Sequence, residues 1–254
     1  MSNSPPLLQE LPTEQDIGGA SGVRRLYVLT YGKENSEQFP YNIPNEKISS
    51  ELARVAGLPV PEVVLHQHRG QWLFLSRAVE TVESGESRPP GTSSDVAKAI
   101  ANSPGLIEEM VCFDLFVCNN DRNPGNFLCD AEKNVWLIDF GNSLFYRPSG
   151  RGQIQAGVSR LKSVEEQLDA LFDKPYSFLR ECHTWDAMQR SFQRIAAIPE
   201  YFIENTINRL PRDLLTESER EFSIDFLNRR KTSMEQIVRD NSRLFPNLEI
   251  PANK

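Results

Sequence analysis

Asp121 and Asn126 have four residues between them, and Asp139 opens an Asp-Phe-Gly directly after the apolar run Val135-Trp136-Leu137-Ile138. The spacing has a geometric logic as well as a chemical one. Ile107 to Val117 is apolar-rich and follows Ser103 and Pro104, good cap and first-turn residues, so it predicts a helix running into the polar stop Asn119-Asn120. Asp121 then falls on a loop. Pro124-Gly125 turns the chain, Phe127-Leu128 begins a short strand, the polar stretch from Asp130 to Asn134 reverses it, and the apolar run returns. A hairpin of this kind brings Asn126 and Asp139 towards one end. Phosphoryl transfer needs a carboxylate to orient an acceptor hydroxyl and hard oxygen ligands for Mg²⁺ on nucleotide phosphates. Asp121 suits the first task, Asn126 and Asp139 the second. Asx residues in a hairpin can also do no more than satisfy turn backbone groups; the Asp-Phe-Gly at this distance favours the chemical reading.

Other segments extend the pattern. Gly18-Gly19-Ala20-Ser21-Gly22 precedes a strand Leu26-Tyr27-Val28-Leu29; Asn45-Glu46 is followed by Leu52-Ala53-Arg54-Val55-Ala56-Gly57-Leu58-Pro59-Val60-Pro61; Asn228-Arg229-Arg230 lies near the end. With the segment from 113 to 145, these resemble the HipA-like bacterial kinases in order from about residue 16 to about 240, specifically around 113 to 145 and 45 to 61 and loosely elsewhere. The resemblance implies an α+β, two-lobed fold related to protein and phosphoinositide kinases, with ATP and Mg²⁺ between a strand-rich small lobe and a helical large lobe. It does not specify the acceptor, because one fold hosts many functions.

The resemblance also exposes departures. Family members usually carry a lysine in a strand reading Tyr-Val-Val-Lys-Phe, where it touches the nucleotide phosphates and pairs with a helix glutamate. The matching stretch here is Tyr27-Val28-Leu29-Thr30-Tyr31, so Thr30 takes that place. Lys33 can substitute if a bulge or turn at Gly32 carries it back, since period-2 alternation otherwise puts it on the face opposite Thr30. Asn123 stands where the family often has histidine. Glu46 is expected in the first turn of a helix stopped by Gly57, as the partner of that lysine or simply as a carboxylate near the positive helix end. Gly18, Gly19, Ser21 and Gly22 could aim backbone N–H groups at phosphates or form an ordinary flexible turn.

Composition excludes more than it selects. The chain has 254 residues, 39% hydrophobic and 25% charged, ordinary for a globule of one domain or two lobes, and a net charge of −7 offers no broad attraction for nucleic acid or anionic lipid. No apolar run approaches a membrane span, and Met-Ser-Asn-Ser-Pro-Pro lacks the charged and hydrophobic regions of a leader, so a cytoplasmic protein is expected. Cys112, Cys118, Cys129 and Cys182 show no C-x-x-C spacing and are expected reduced; His66 and His68 suit a hairpin turn better than a metal; His183 is isolated.

Residues 1–15 are expected to form a loose lead-in, 16–80 the small lobe, 81–94 an inter-lobe loop and 95–254 the large lobe. Trp72-Leu73-Phe74-Leu75 reads as a strand leading to a hinge at Ser76 to Val79 whose backbone could meet adenine. Helices are predicted over Lys162 to Phe172, Trp185 to Ile198, Glu200 to Leu210 and Glu217 to about Asp240, the last opened by a Thr216/Glu219 capping box. Two function classes stay open: an ATP- and Mg²⁺-dependent kinase, acting on a protein serine or threonine or on a lipid or small-molecule hydroxyl, and a pseudokinase or nucleotide-binding regulatory module, motivated by Thr30. The acceptor, a cognate regulatory partner and the oligomeric state are not readable from the residues; no nucleic-acid or membrane partner is expected.

Overall fold

The computed structural model describes residues 8–11, 25–80, 94–145 and 177–252. In the small lobe β1 (Leu8–Leu11) pairs antiparallel with β2 (Arg25–Val28), so part of the expected loose lead-in is strand. Its four residues are too few to show alternation, and only the partner strand gives their backbone groups a ladder. The chain then passes through Leu29 into β3 (Thr30–Lys33), which joins β4 (Val63–His68) and β5 (Gln71–Arg77) in the antiparallel order β3-β5-β4. β4 and β5 are linked by Arg69-Gly70 with φ of 51° and 81°, the positive values that a two-residue turn needs to match the strand twist. The expected strand at 72–75 is longer, and it absorbs Ser76 and Arg77 of the expected hinge. Ala78 is also engaged, donating its N–H to the Leu29 carbonyl at 3.0 Å.

Against this sheet lies α1 (Asn42–Val55), with Ile43 packed on Phe74 beside Val63, Leu65 and Trp72. The helix begins a turn earlier than Glu46 suggested, because Pro44 falls within the first turn, where no intrahelical donor is required. Glu46 therefore sits in the second turn. The other end matches expectation: Gly57, at φ 82°, donates to the Arg54 carbonyl and Leu58 to that of Ala53, the paired bonds that close a helix on a left-handed residue.

The large lobe is built on α3 (Leu106–Phe116), preceded by α2 (Ser94–Ala101). All of α3 but Ile107 and Glu109 is buried, its apolar residues spread over every side and Glu108 and Asp114 buried among them. Its start differs from the sequence expectation. Ser103 bonds through Oγ to the Ala99 carbonyl, finishing α2, and the turn into α3 is made by Gly105 at φ 85°, where a Cβ would meet Ala187 at 3.0 Å. Burial of Glu108 has a use: its Oε1 accepts the N–H groups of His183 and Thr184, both at 2.9 Å, at the start of α4 (Trp185–Ala196). α5 (Glu200–Asn208) and α6 (Glu217–Arg230) follow, the latter opened by the expected Thr216/Glu219 capping box.

The predicted helix from Glu217 to about Asp240 is two helices, α6 and α7 (Met234–Asp240). Thr232 and Ser233 turn their hydroxyls back to the Arg229 carbonyl at 2.9 and 3.1 Å, and Lys231 reaches the Ile198 carbonyl at 2.9 Å. Local hydroxyl bonds of this kind compete with the helix ladder. The predicted helix at 162–172 lies outside the described residues. A strand-rich small part followed by a helical remainder makes the fold α+β and two-lobed. All four cysteines are free and buried, and no helix among the described residues is long and apolar enough to cross a membrane.

Candidate active site

The hairpin of β6 (Phe127–Cys129) and β7 (Val135–Leu137) forms where the spacing put it. Asp130 holds its reversal, accepting from Asn134 N at 2.7 Å, Asn134 Nδ2 at 3.0 Å and Trp136 Nε1 at 2.9 Å. At the open end Ile138 N donates to the Asn126 carbonyl at 3.0 Å, and Asn126 Nδ2 lies 3.3 Å from Asp139 Oδ2. Asp139 itself is at φ 64°, a left-handed conformation that Asp tolerates better than most residues and that throws its carboxylate back towards the small lobe.

Lys33 meets it there. Its Nζ bonds Asp139 Oδ1 at 2.7 Å and is ion-paired with Glu46 Oε1, so one ammonium bridges the two carboxylates. No bulge at Gly32 is needed to bring it in. β3 runs in regular register, with Gly32 opposite Leu75 and Lys33 opposite Phe74, and directly opposed residues share a sheet face. Lys33 thus projects on the Phe74 face, which packs on α1, while Thr30, opposite Arg77, lies on the other.

Electrostatics follows from this contact. Burial works to lower the Lys33 pKa, but Glu46 and Asp139 outweigh it and hold it above the usual lysine value. Burial likewise opposes ionisation of Asp139, and Lys33 prevails, keeping the carboxyl below its ordinary value. Glu46, 2% exposed, is pushed up by burial more than Lys33 draws it down. Because the folded pKa of Asp139 lies below its ordinary 3.8, its contribution to stability is present above that pH and lost as pH falls through the depressed value. Urea midpoints of wild type and Asp139→Asn should accordingly differ near neutrality and converge as pH falls through that depressed value; a gap that stays constant throughout the acid range would contradict the ion pair.

The Asp-Phe-Gly segment is fastened to α1 as well. Glu46 Oε2 accepts Phe140 N at 3.1 Å; Asn45 Nδ2 donates to the carbonyls of Gly141 (2.8 Å) and Phe145 (3.1 Å), and Asn45 Oδ1 accepts Phe145 N at 3.1 Å. Ser49 and Ser143 hydroxyls meet at 2.6 Å. A Cβ on Gly141 would come within 2.5 Å of Asn42 Oδ1, so the helix start and the loop are in close contact.

Below the site Arg122 is almost wholly buried. It grips Asp114 of α3 through Nε (2.8 Å) and a terminal nitrogen (3.0 Å), donates to the carbonyls of Ile138 (2.7 Å) and Asn126 (3.4 Å), and lies 4.7 Å over the Phe140 ring. Asp121 is on the exposed loop above. Its carbonyl accepts from Asn123 Nδ2 at 3.0 Å, and its Oδ2 accepts from Asn142 Nδ2 at 2.8 Å. Asn123, at the position where histidine was expected, also caps the turn by accepting Gly125 N at 2.8 Å.

Asp121, Asn126 and Asp139 thus gather with Lys33 and Glu46, whereas Gly18, Gly19, Ser21 and Gly22 lie outside the described residues. Sequence reasoning gave no role to Asn45, Asp114, Arg122 or Asn142. Asp114 carried a signal, being the one charge in the apolar run from Met110 to Val117; Asn142 carried none.

No protein-family model matches the sequence, and no curated protein matches it. Among solved structures, the proinflammatory kinase CtkA of Helicobacter pylori aligns with 83% of this chain and 90% of its own, at TM-score 0.52 and 16% identity. The fold is kinase-like. HipA of Shewanella oneidensis MR-1, crystallised with HipB and operator DNA, aligns with 98% of this chain and 68% of its own at TM-score 0.46 and 15% identity. At these identities the likeness is one of fold.

The donor types suit Mg²⁺, which favours hard oxygens and usually takes only one or two protein ligands, leaving the rest to water and phosphate. No group of three His, Cys, Asp or Glu side chains that could hold a metal occurs among the described residues. Asp139 offers a carboxylate. Asn126 presents its nitrogen to Asp139 while its oxygen accepts Asn123 N at 2.9 Å, so to offer an oxygen the amide has to turn over and release that bond.

Proposed function

We propose that the chain is an ATP- and Mg²⁺-dependent kinase transferring the γ-phosphoryl group to a serine or threonine of a protein. The observation that carries this reading is Lys33, which bridges Glu46 and Asp139 beside the Asp121 loop. A polyphosphate in a confined site needs cationic compensation, and a lysine held by a buried glutamate supplies it at a defined point. Asp121 would take the proton of the acceptor hydroxyl, Lys33 would face the phosphates with Glu46 holding its ammonium group, and Asp139 and Asn126 would hold the metal. When bound, Mg²⁺-ATP supplies the phosphoryl group and neutralises its developing charge. The pseudokinase reading is motivated by Thr30 in place of the strand lysine; Lys33 on the α1-facing side of the sheet supports the catalytic reading over it.

The test is transfer from radiolabelled ATP with Mg²⁺, using purified protein alone and with cell extract, followed by phosphoamino-acid analysis. Label in phosphoserine or phosphothreonine is expected; label only in lipid or small molecules would replace the acceptor class, and no label would return the pseudokinase. Lys33→Met should lower transfer roughly 10²-fold, the scale of removing one preorganised electrostatic group. Thr30→Lys should change little, because that residue projects from the opposite face. The reverse outcome, loss at position 30 and indifference at 33, would overturn the assignment of Lys33.

A further inference from the structure

We propose that Asn142 is the positioning residue of the phosphoryl-transfer site, its amide fixing the Asp121 carboxylate and making that alignment depend on α1. This rests on the kinase reading and adds to it. Asn142 Nδ2 donates to Asp121 Oδ2 at 2.8 Å across a separation of 21 residues. Asp121 is exposed on a loop. Asn142, by contrast, is half-buried and stands on a held turn. Ser143 N closes that turn on the Phe140 carbonyl at 3.0 Å, and Ser143 Oγ reinforces it at 2.7 Å. One flank is tied to α1 through Glu46 to Phe140 N, Asn45 to the Gly141 carbonyl and Ser49 to Ser143. The other is tied to the start of the Asp121 loop by Leu144 N on the Val117 carbonyl at 2.8 Å.

A donor whose backbone is fixed on both flanks loses little freedom when it bonds, so most of the interaction goes into orienting the acceptor. The turn that carries Asn142 is the one that begins beside Asp139. Whatever seats or unseats α1 therefore moves the metal ligand and the base's positioning group together. A bystander role, in which Asn142 only completes a surface turn, would leave turnover alone.

The experiment measures transfer from radiolabelled Mg²⁺-ATP to the acceptor fraction that wild type labels. Asn142→Ala should lower kcat about tenfold to 10²-fold, the range for one hydrogen bond to a charged group, with KM for ATP unchanged. Asn142→Asp, the same size but with a carboxylate facing Asp121, should fall at least as far while its thermal unfolding matches wild type. In an Asp121→Asn background Asn142→Ala should cost much less than it does alone, since both changes strike one interaction. If Asp121→Asn is slow while Asn142→Ala turns over like wild type, or if Asn142→Ala slows both backgrounds equally, the positioning role is overturned and the kinase reading stands. A wild type that labels nothing overturns both; an Asp121→Asn as fast as wild type overturns the positioning role and removes Asp121 from the mechanism, and the kinase reading stands.

Discussion

Asp121→Asn is expected to depress phosphoryl transfer by about 10²-fold or more, the usual scale for a positioned acid or base, with ATP affinity nearly intact. The substitution is close to isosteric. An asparagine oxygen at position 121 can still accept from Asn142 Nδ2, and the Asn123 Nδ2 bond to the residue 121 carbonyl is untouched, so the loop keeps its shape and only the proton acceptor is lost. Binding and chemistry should therefore separate: calorimetry with Mg²⁺-ATP unchanged, single-turnover transfer slow. Wild-type turnover in this variant would remove Asp121 from the mechanism.

Arg122→Met should produce the largest loss of stability of any single change near the site. Both the Arg122 and Asp114 side chains are nearly inaccessible, at 1% and 3%, and joined by two hydrogen bonds. Methionine keeps much of the apolar stem but takes from the buried Asp114 carboxylate the guanidinium that pairs with it, while the side-chain donor from Asn119 at 2.8 Å stays. Removing one member of such a pair costs about 3–5 kcal/mol. For a chain of this size that corresponds to a melting point lower by roughly 10 °C. The carbonyls of Asn126 and Ile138 lose their Arg122 donor too, so the Asp139 loop should loosen and transfer should fall. Asp114→Leu combined with Arg122→Met should recover part of the stability, because no buried charge then remains unpaired. A melting point within a degree or two of wild type for Arg122→Met alone would mean that water reaches the pair.

The same contrast between local and long-range causes explains what could be read beforehand. The β6–β7 hairpin, the approach of Asn126 to Asp139, the closing of α1 at Gly57 and the Thr216/Glu219 cap each depend on residues a few positions apart, so turn chemistry and spacing were enough to specify them. Where neighbours alone were misleading, the deciding contact was distant in the chain. Thr232 and Ser233 break a periodic stretch, a locally readable hint, but the break is held by Lys231 on the Ile198 carbonyl.

The place of Lys33 shows the division most clearly. Alternation along the strand, a local property, correctly separated Lys33 from Thr30, but which of the two faces meets the site is set by how the sheet packs on α1 through Ile43 and Phe74. Likewise the sequence by itself determined that Asp121, Asn126 and Asp139 stand at the spacing of a loop and hairpin. Only the tertiary structure decided that Glu46 and Asn45 hold the Asp139 segment from across the lobes and that Asn142 reaches Asp121. The physical reason is that spacing dictates backbone geometry over a few residues, whereas a hydrogen bond between residues 21 or 94 positions apart exists only once packing has brought their elements together.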